Sequence, residues 1–155
     1  MKKISLGSLI LCIAIPLGVG GLAALLTGAG ADFYSSVKMP PLSPPSWLFP
    51  VVWTILYILM GVSLYLVRQS ACDGKRSSYI LFGAQLAVNF IWSLMFFNAR
   101  AFLLAGILIV ILWALILAML SSFHRCRPAA GYLQVPYFLW VTFAAYLTWS
   151  IYSLN

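Results

Sequence analysis

The chain holds six tryptophans but only two acids and one histidine, so its reactive side chains are aromatic rather than ionic. Trp53, Tyr57, Met60 and Gly61 recur at helical spacing in one apolar run, and Pro136, Trp140, Ala144 and Thr148 do the same in another. Each face sets an indole beside smaller residues, and two such faces would enclose a flat apolar slot. Aromatic rings hold planar conjugated molecules by stacking and edge contact in addition to area burial. Taken alone, each stripe reads first as core packing or as an interfacial aromatic belt. Trp47 and Trp149 fall near the ends of apolar runs and suit a belt, while Trp113, in mid-run, can face lipid.

Two amides add polarity to this aromatic set. Gln85 and Asn89 are four apart, and Trp92 and Phe96 continue the same helical face. A buried amide in hydrocarbon costs free energy unless it meets a partner, so this face should look inward. The amides then either tie helices together or touch a ligand.

Ionic chemistry has little to work with. Asp32, Asp73 and His124 all fall in expected loops, so no acid/base pair, nucleophile triad or metal cluster can be assembled from them inside a membrane. An ordinary hydrolase or metalloenzyme is not expected, nor is a metal site, and no cofactor is required. His124, beside Arg125 and Arg127, reads as a solvated loop residue.

The elements that must position these side chains follow from composition. The chain is 64% hydrophobic and 7% charged with a mean hydropathy of +1.04, which defines an integral membrane protein forming one domain. Apolar runs near the roughly 20 residues of a spanning helix cover about 4–26, 47–67, 79–97, 102–123 and 132–154. Shorter alternating segments of the barrel type are not seen, so the expected fold is all-α, with five transmembrane helices. The break at Asn98–Arg100 is short enough to force a tight antiparallel hairpin.

The first break is different in kind. Pro40, Pro41, Pro44 and Pro45 rule out a helix before Ser46, because proline lacks the amide donor and biases its predecessor toward extended backbone. A stiff, ordered loop capping something is expected there. Lys2, Lys3, Arg68, Lys75, Arg76, Arg125 and Arg127 lie on one side and only Lys38 and Arg100 on the other, which predicts a cytoplasmic N-terminus and an external C-terminus. The net charge of +7 is this topology signal rather than a nucleic-acid footprint, and an anionic lipid surface accounts for it.

Met1-Lys2-Lys3 followed by apolar residues and Gly28-Ala29-Gly30-Ala31 also resembles a secretory leader, but the run exceeds a usual leader core and reads as a retained helix. Cys12 lies within the first run, and Cys72 and Cys126 fall in loops assigned to the reducing side. All three are expected as unpaired thiols. Ala14 with Gly18, and Gly20 with Ala24, would allow close approach of a neighbouring helix or of a second copy.

Several blocks together resemble the translocator protein family, also called tryptophan-rich sensory proteins or peripheral benzodiazepine receptors, in its bacterial form. They are Phe33-Tyr34 with Pro40, Pro44 through Trp53, Leu56 through Gly61, Gln85 through Trp92 with Phe96-Phe97, Ala99-Arg100, and Val135 through Trp140 ahead of Phe143-Ala144. The resemblance implies a five-helix transmembrane bundle, commonly dimeric, whose first loop closes over a central pocket. It implies binding of porphyrins such as protoporphyrin IX, or of haem-related tetrapyrroles, for transport, scavenging or stress sensing.

By matching position, Trp53, Trp140, Asn89, Trp92, Tyr34, Pro44 and Ala144 are implied ligand contacts, with Tyr57 and Gln85 added by the faces described above. In some bacterial members the pair matching Trp53 and Trp140 is tied to light-dependent porphyrin breakdown, which would make these two residues catalytic. A regulatory membrane partner with no small ligand is the third possibility. Departures from the family pattern are Phe33 and Leu42 at positions usually tryptophan, Met39 where lysine usually precedes the loop proline, and no basic residue after Tyr152 to complete the animal sterol motif.

Overall fold

Proline and glycine punctuate a chain that is otherwise helical, because helices are the one open structure that satisfies its own backbone away from water. The computed structural model describes residues 5–30 and 32–155. The expected helix start at Ile4, the charges of Lys2 and Lys3, and Ala31 of the leader-like run fall outside those residues.

Helix α1 spans Leu6–Leu26 with Pro16 inside it. After a left-handed turn at Gly28, Ala29 and Gly30 (φ 58°, 52° and 72°) comes a short helix α2, Phe33–Ser36. Helix α3 covers Leu48–Gln69, starting after the prolines as expected, and α4 covers Lys75–Ser93. A wide turn, Leu94–Asn98, prolongs α4, and Arg100 (φ 51°) reverses the chain. Helix α5 spans Phe102–Cys126, α6 is the short Pro128–Tyr132, and α7 runs Val135–Leu154.

The described residues are thus all-helical, and α1, α3, α4 with its extension, and α5 are long and apolar enough to cross a membrane. Helix α7 has 20 residues, but tyrosine, threonine, serine and proline dilute its hydropathy. Boundaries differ from the apolar runs where polar residues continue a helix beyond the hydrocarbon. Lys75, Arg76, Ser77 and Ser78 form the first turn of α4, and His124 to Cys126 the last of α5.

Helix α1 packs along α3, α4 along α5, and α5 along α7. Leu6, Ile10, Leu25, Leu103, Ile107 and Val110 are exposed, an apolar exterior suited to lipid. Two glycines set the closest approaches: a side chain on Gly61 would strike the backbone of Ile13, and one on Gly20 would strike the Tyr57 ring. Ala14, Gly18 and Ala24 are exposed instead, so only part of the expected small-residue pattern seats a neighbour within the chain.

Three expectations are corrected. Cys72 and Cys126 form a disulfide and only Cys12 is an unpaired thiol, because the antiparallel packing of α4 and α5 brings their Cα atoms to 5.0 Å across 54 positions. His124 is a half-buried residue of α5 rather than a loop residue, set edge-on to Tyr132 at 5.2 Å. Trp113 does not simply face lipid: its Nε1 donates to Thr142 Oγ1 at 2.9 Å and its ring lies 5.0 Å from Phe138, pinning α5 to α7.

Candidate functional site

Trp53 sits one and a half turns into α3 and Trp92 is the last residue but one of α4, so antiparallel packing brings both indoles to the same end of the molecule. Their centroids are 6.4 Å apart. Trp53 also stacks on Tyr57 at 5.6 Å, and Trp92 stacks on Phe96 at 5.2 Å. Trp140 arrives from α7 and meets this group through Phe49, whose ring is 5.7 Å from Trp140 and 5.3 Å from Tyr34.

The rings line two adjoining cavities. The first, about 20 Å³, lies between Trp53, Trp92, Trp140, Ala144, Tyr34 and Phe49, with Phe33, Met39, Phe96 and Phe97 completing its wall. The second, about 90 Å³, continues past Trp53, Trp92 and Tyr57 to Gly20, Ala24 and Thr27 on α1. These volumes are small because aromatic side chains fill most of the slot.

Below it lies a buried polar layer. Asn89 Nδ2 donates to Tyr57 Oη at 3.0 Å, Tyr137 Oη donates to Gln85 Oε1 at 2.7 Å, and Gln85 Nε2 approaches Met60 Sδ at 3.9 Å. Gln85 and Asn89 therefore do serve as ties between helices. Among the described residues seven buried side-chain atoms have no partner, and three of them lie at or beneath the slot: Asn89 Oδ1, Trp92 Nε1 and Trp140 Nε1. Unmet polar atoms of this kind are costly in an apolar interior. Two of them, the indole N–H groups, belong to residues lining the slot.

The segment between α2 and α3 covers the outer side. Met39 lines the slot from it and Tyr34 from α2, and burial pushes the Tyr34 phenol well above its ordinary pKa. The backbone N–H of Lys38 donates to Asn155 Oδ1 at 3.0 Å, and Asn155 Nδ2 donates to Lys38 O at 3.1 Å, tying this cover to the end of α7.

Of the residues expected at the site, Tyr34, Trp53, Tyr57, Trp92, Trp140 and Ala144 line these cavities, while Gln85 and Asn89 lie beneath them. Pro44 does not join them. It lines an outward groove between α3 and α7, together with Pro136, which is exposed rather than inward-facing. Phe33, Met39, Phe49 and Phe97 are wall residues that helical spacing could not find, because they come from the cover and from helix ends. Among the departures from the family pattern, Phe33 is buried against Phe96 at 4.8 Å and Phe97 at 5.0 Å, whereas Leu42 is 69% exposed. Among the described residues no group of three His, Cys, Asp or Glu is placed to hold a metal ion.

The apolar exterior, spanning helices and aromatic slot define a small helical integral membrane protein with an indole-lined interior. The chain belongs to the TspO/MBR family, whose sequence profile matches residues 12–154. It is 38% identical over 151 residues to the tryptophan-rich protein TspO of Chlorobaculum tepidum, covering 96% of each chain. It is 33% identical to the tryptophan-rich protein TspO of Archaeoglobus fulgidus over 150 residues, 95% of this chain and 96% of that one. The translocator protein of Ovis aries is 29% identical over 133 residues, 84% of this chain and 79% of its own.

Proposed function

We propose that this membrane protein binds porphyrins or related flat tetrapyrroles in the slot between α3, α4 and α7, for transport, scavenging or stress sensing. The observation that carries this reading is the convergence of Trp53, Trp92 and Trp140 from three helices, with the Nε1 groups of Trp92 and Trp140 buried and unpartnered. An acidic tetrapyrrole supplies what such a site lacks: a broad π-face for the indoles and carboxylate oxygens for the N–H donors. A ligand of this size needs several hundred Å³, so the cover and the aromatic side chains move aside when it enters. No cofactor is needed for this role.

On this reading α7 is the fifth span, completing a five-helix bundle. The excess of Lys and Arg in the loops supports a cytoplasmic N-terminus and an external α2 cover, an orientation that sets the Cys72–Cys126 bridge at the cytoplasmic end. The assembly is a homodimer. Light-dependent breakdown of the porphyrin is a second reading, favoured by the presence of Trp53 and Trp140 on one cavity, since both indoles are oxidisable.

Titration of the purified protein with protoporphyrin IX in the dark tests the first reading by saturable quenching of tryptophan fluorescence. Non-saturable quenching equal to that of free tryptophan would contradict it. Illumination of the complex tests the second: a product spectrum that matches protein-free porphyrin removes catalysis and leaves binding.

A further inference from the structure

At the end of the molecule remote from the slot, α1, α3 and α4 leave a groove of about 410 Å³. Leu11, Ile15, Leu64 and Phe82 form its apolar bed, and Arg68 and Tyr79 stand at its polar end. Leu11 and Ile15 are 54% and 44% exposed, so the bed opens toward the hydrocarbon rather than into the core.

The polar end carries unbalanced positive charge. Lys75 Nζ donates to Arg68 O at 3.2 Å, placing its ammonium beside the last turn of α3. Helix α4 begins Lys75-Arg76 with no acid in its first turn, so two cations sit on the positive pole of a helix. Asp73 is the one carboxylate of this loop, and among the described residues neither it nor Arg68, Lys75 or Arg76 forms an ion pair. Among the described residues the Arg68 guanidinium makes no hydrogen bond, although Tyr79 stands at the same end of the groove.

We propose that this groove holds an anionic phospholipid from the adjacent leaflet, its phosphate on Arg68 and Lys75 and one acyl chain along Ile15 and Phe82. A guanidinium pairs with phosphate through parallel N–H bonds, and basic clefts between membrane helices recognise acidic headgroups. A zwitterionic lipid would bring its own cation to a place already crowded with them. A free anion would use the charges but leave the apolar bed empty.

Native mass spectrometry of the detergent-purified chain, titrated with phosphatidylglycerol or with phosphatidylcholine of equal chain length, tests the site independently of porphyrin binding. Phosphatidylglycerol is retained about tenfold better than phosphatidylcholine, the preference expected of an added charge-assisted contact. Arg68→Gln removes that preference. Ile15→Trp, which fills the bed at an exposed position without changing charge, removes it too. Arg125→Gln, off the groove but at the same basic end, keeps it. Equal retention of the two lipids by the unmodified chain overturns the proposal. So does a loss in Arg125→Gln matching that in Arg68→Gln, which would mark diffuse surface charge, or unchanged selectivity in Ile15→Trp.

Discussion

Tyr137 donates to Gln85 where neither group has water to fall back on, which makes the pair's cost asymmetric. Tyr137→Phe leaves a buried amide oxygen unmet and should destabilise the protein by about 1–3 kcal/mol. Adding Gln85→Met removes the orphan and should recover part of the loss. Thermal unfolding of the two variants in one detergent checks both statements, and additive losses would contradict the coupling. Gly61 poses a steric problem instead, because a methyl group there meets the backbone of Ile13, which cannot swing aside. Gly61→Ala should cost about 1–3 kcal/mol as α1 and α3 are forced apart, whereas Gly18→Ala, with open space around it, should be neutral within about 0.5 kcal/mol.

The cover between α2 and α3 is latched by a side chain far away in sequence. Asn155 makes two hydrogen bonds to the Lys38 backbone, both at the exposed surface. Replacing Asn155 with alanine gives up two bonds worth about 0.5–1.5 kcal/mol each. If the cover must open for a ligand to enter, porphyrin association measured by stopped-flow quenching should quicken about threefold to tenfold. An unchanged rate would mean that entry bypasses this loop. At the opposite end, the Cys72–Cys126 bridge closes a loop of 54 residues, and Cys126→Ser should cost about 2–4 kcal/mol. Alkylation and mass analysis of protein extracted without reductant should find one free thiol, Cys12.

Elements were unevenly legible in the amino-acid sequence. The long helices stand out because hydrocarbon demands long apolar runs, and the prolines fix the start of α3 to within a residue or two. Helices α2 and α6 have four and five residues, too few for any periodicity, and exist because Phe33 and Ala130 are buried by neighbouring helices. Separation of 54 positions along the chain hides the disulfide from the sequence. Placing the loop after α3 and the end of α5 at one end of the molecule already juxtaposes the two cysteines.

The site at the scale of the whole molecule divides along the same line. Trp53, Tyr57, Asn89, Trp92 and Ala144 could be read from helical faces and from resemblance, since three long antiparallel helices admit few ways to turn those faces inward. Phe49 and Phe33, which join Trp140 to the other indoles and back the slot, depend on how the cover folds over the helix ends. Pro44 lines the groove between α3 and α7 that Trp140 also borders, rather than the slot itself. A slot so nearly filled by its own aromatic rings binds a large planar molecule only by exchanging those contacts for ligand contacts. The indoles should therefore dominate affinity, and binding should raise the unfolding temperature with ligand concentration.

The most direct measurement is a dark titration with protoporphyrin IX of the unmodified protein and of Trp53→Phe/Trp140→Phe, read through porphyrin absorbance so that loss of indole fluorescence does not bias the comparison. Porphyrin binding in the slot predicts a saturable spectral shift with one site per chain, and an affinity at least about tenfold weaker in the double variant, the cost of about 1.4 kcal/mol of stacking and N–H contact. Equal affinity in the two proteins, both folded by circular dichroism, would place any porphyrin somewhere other than between these indoles.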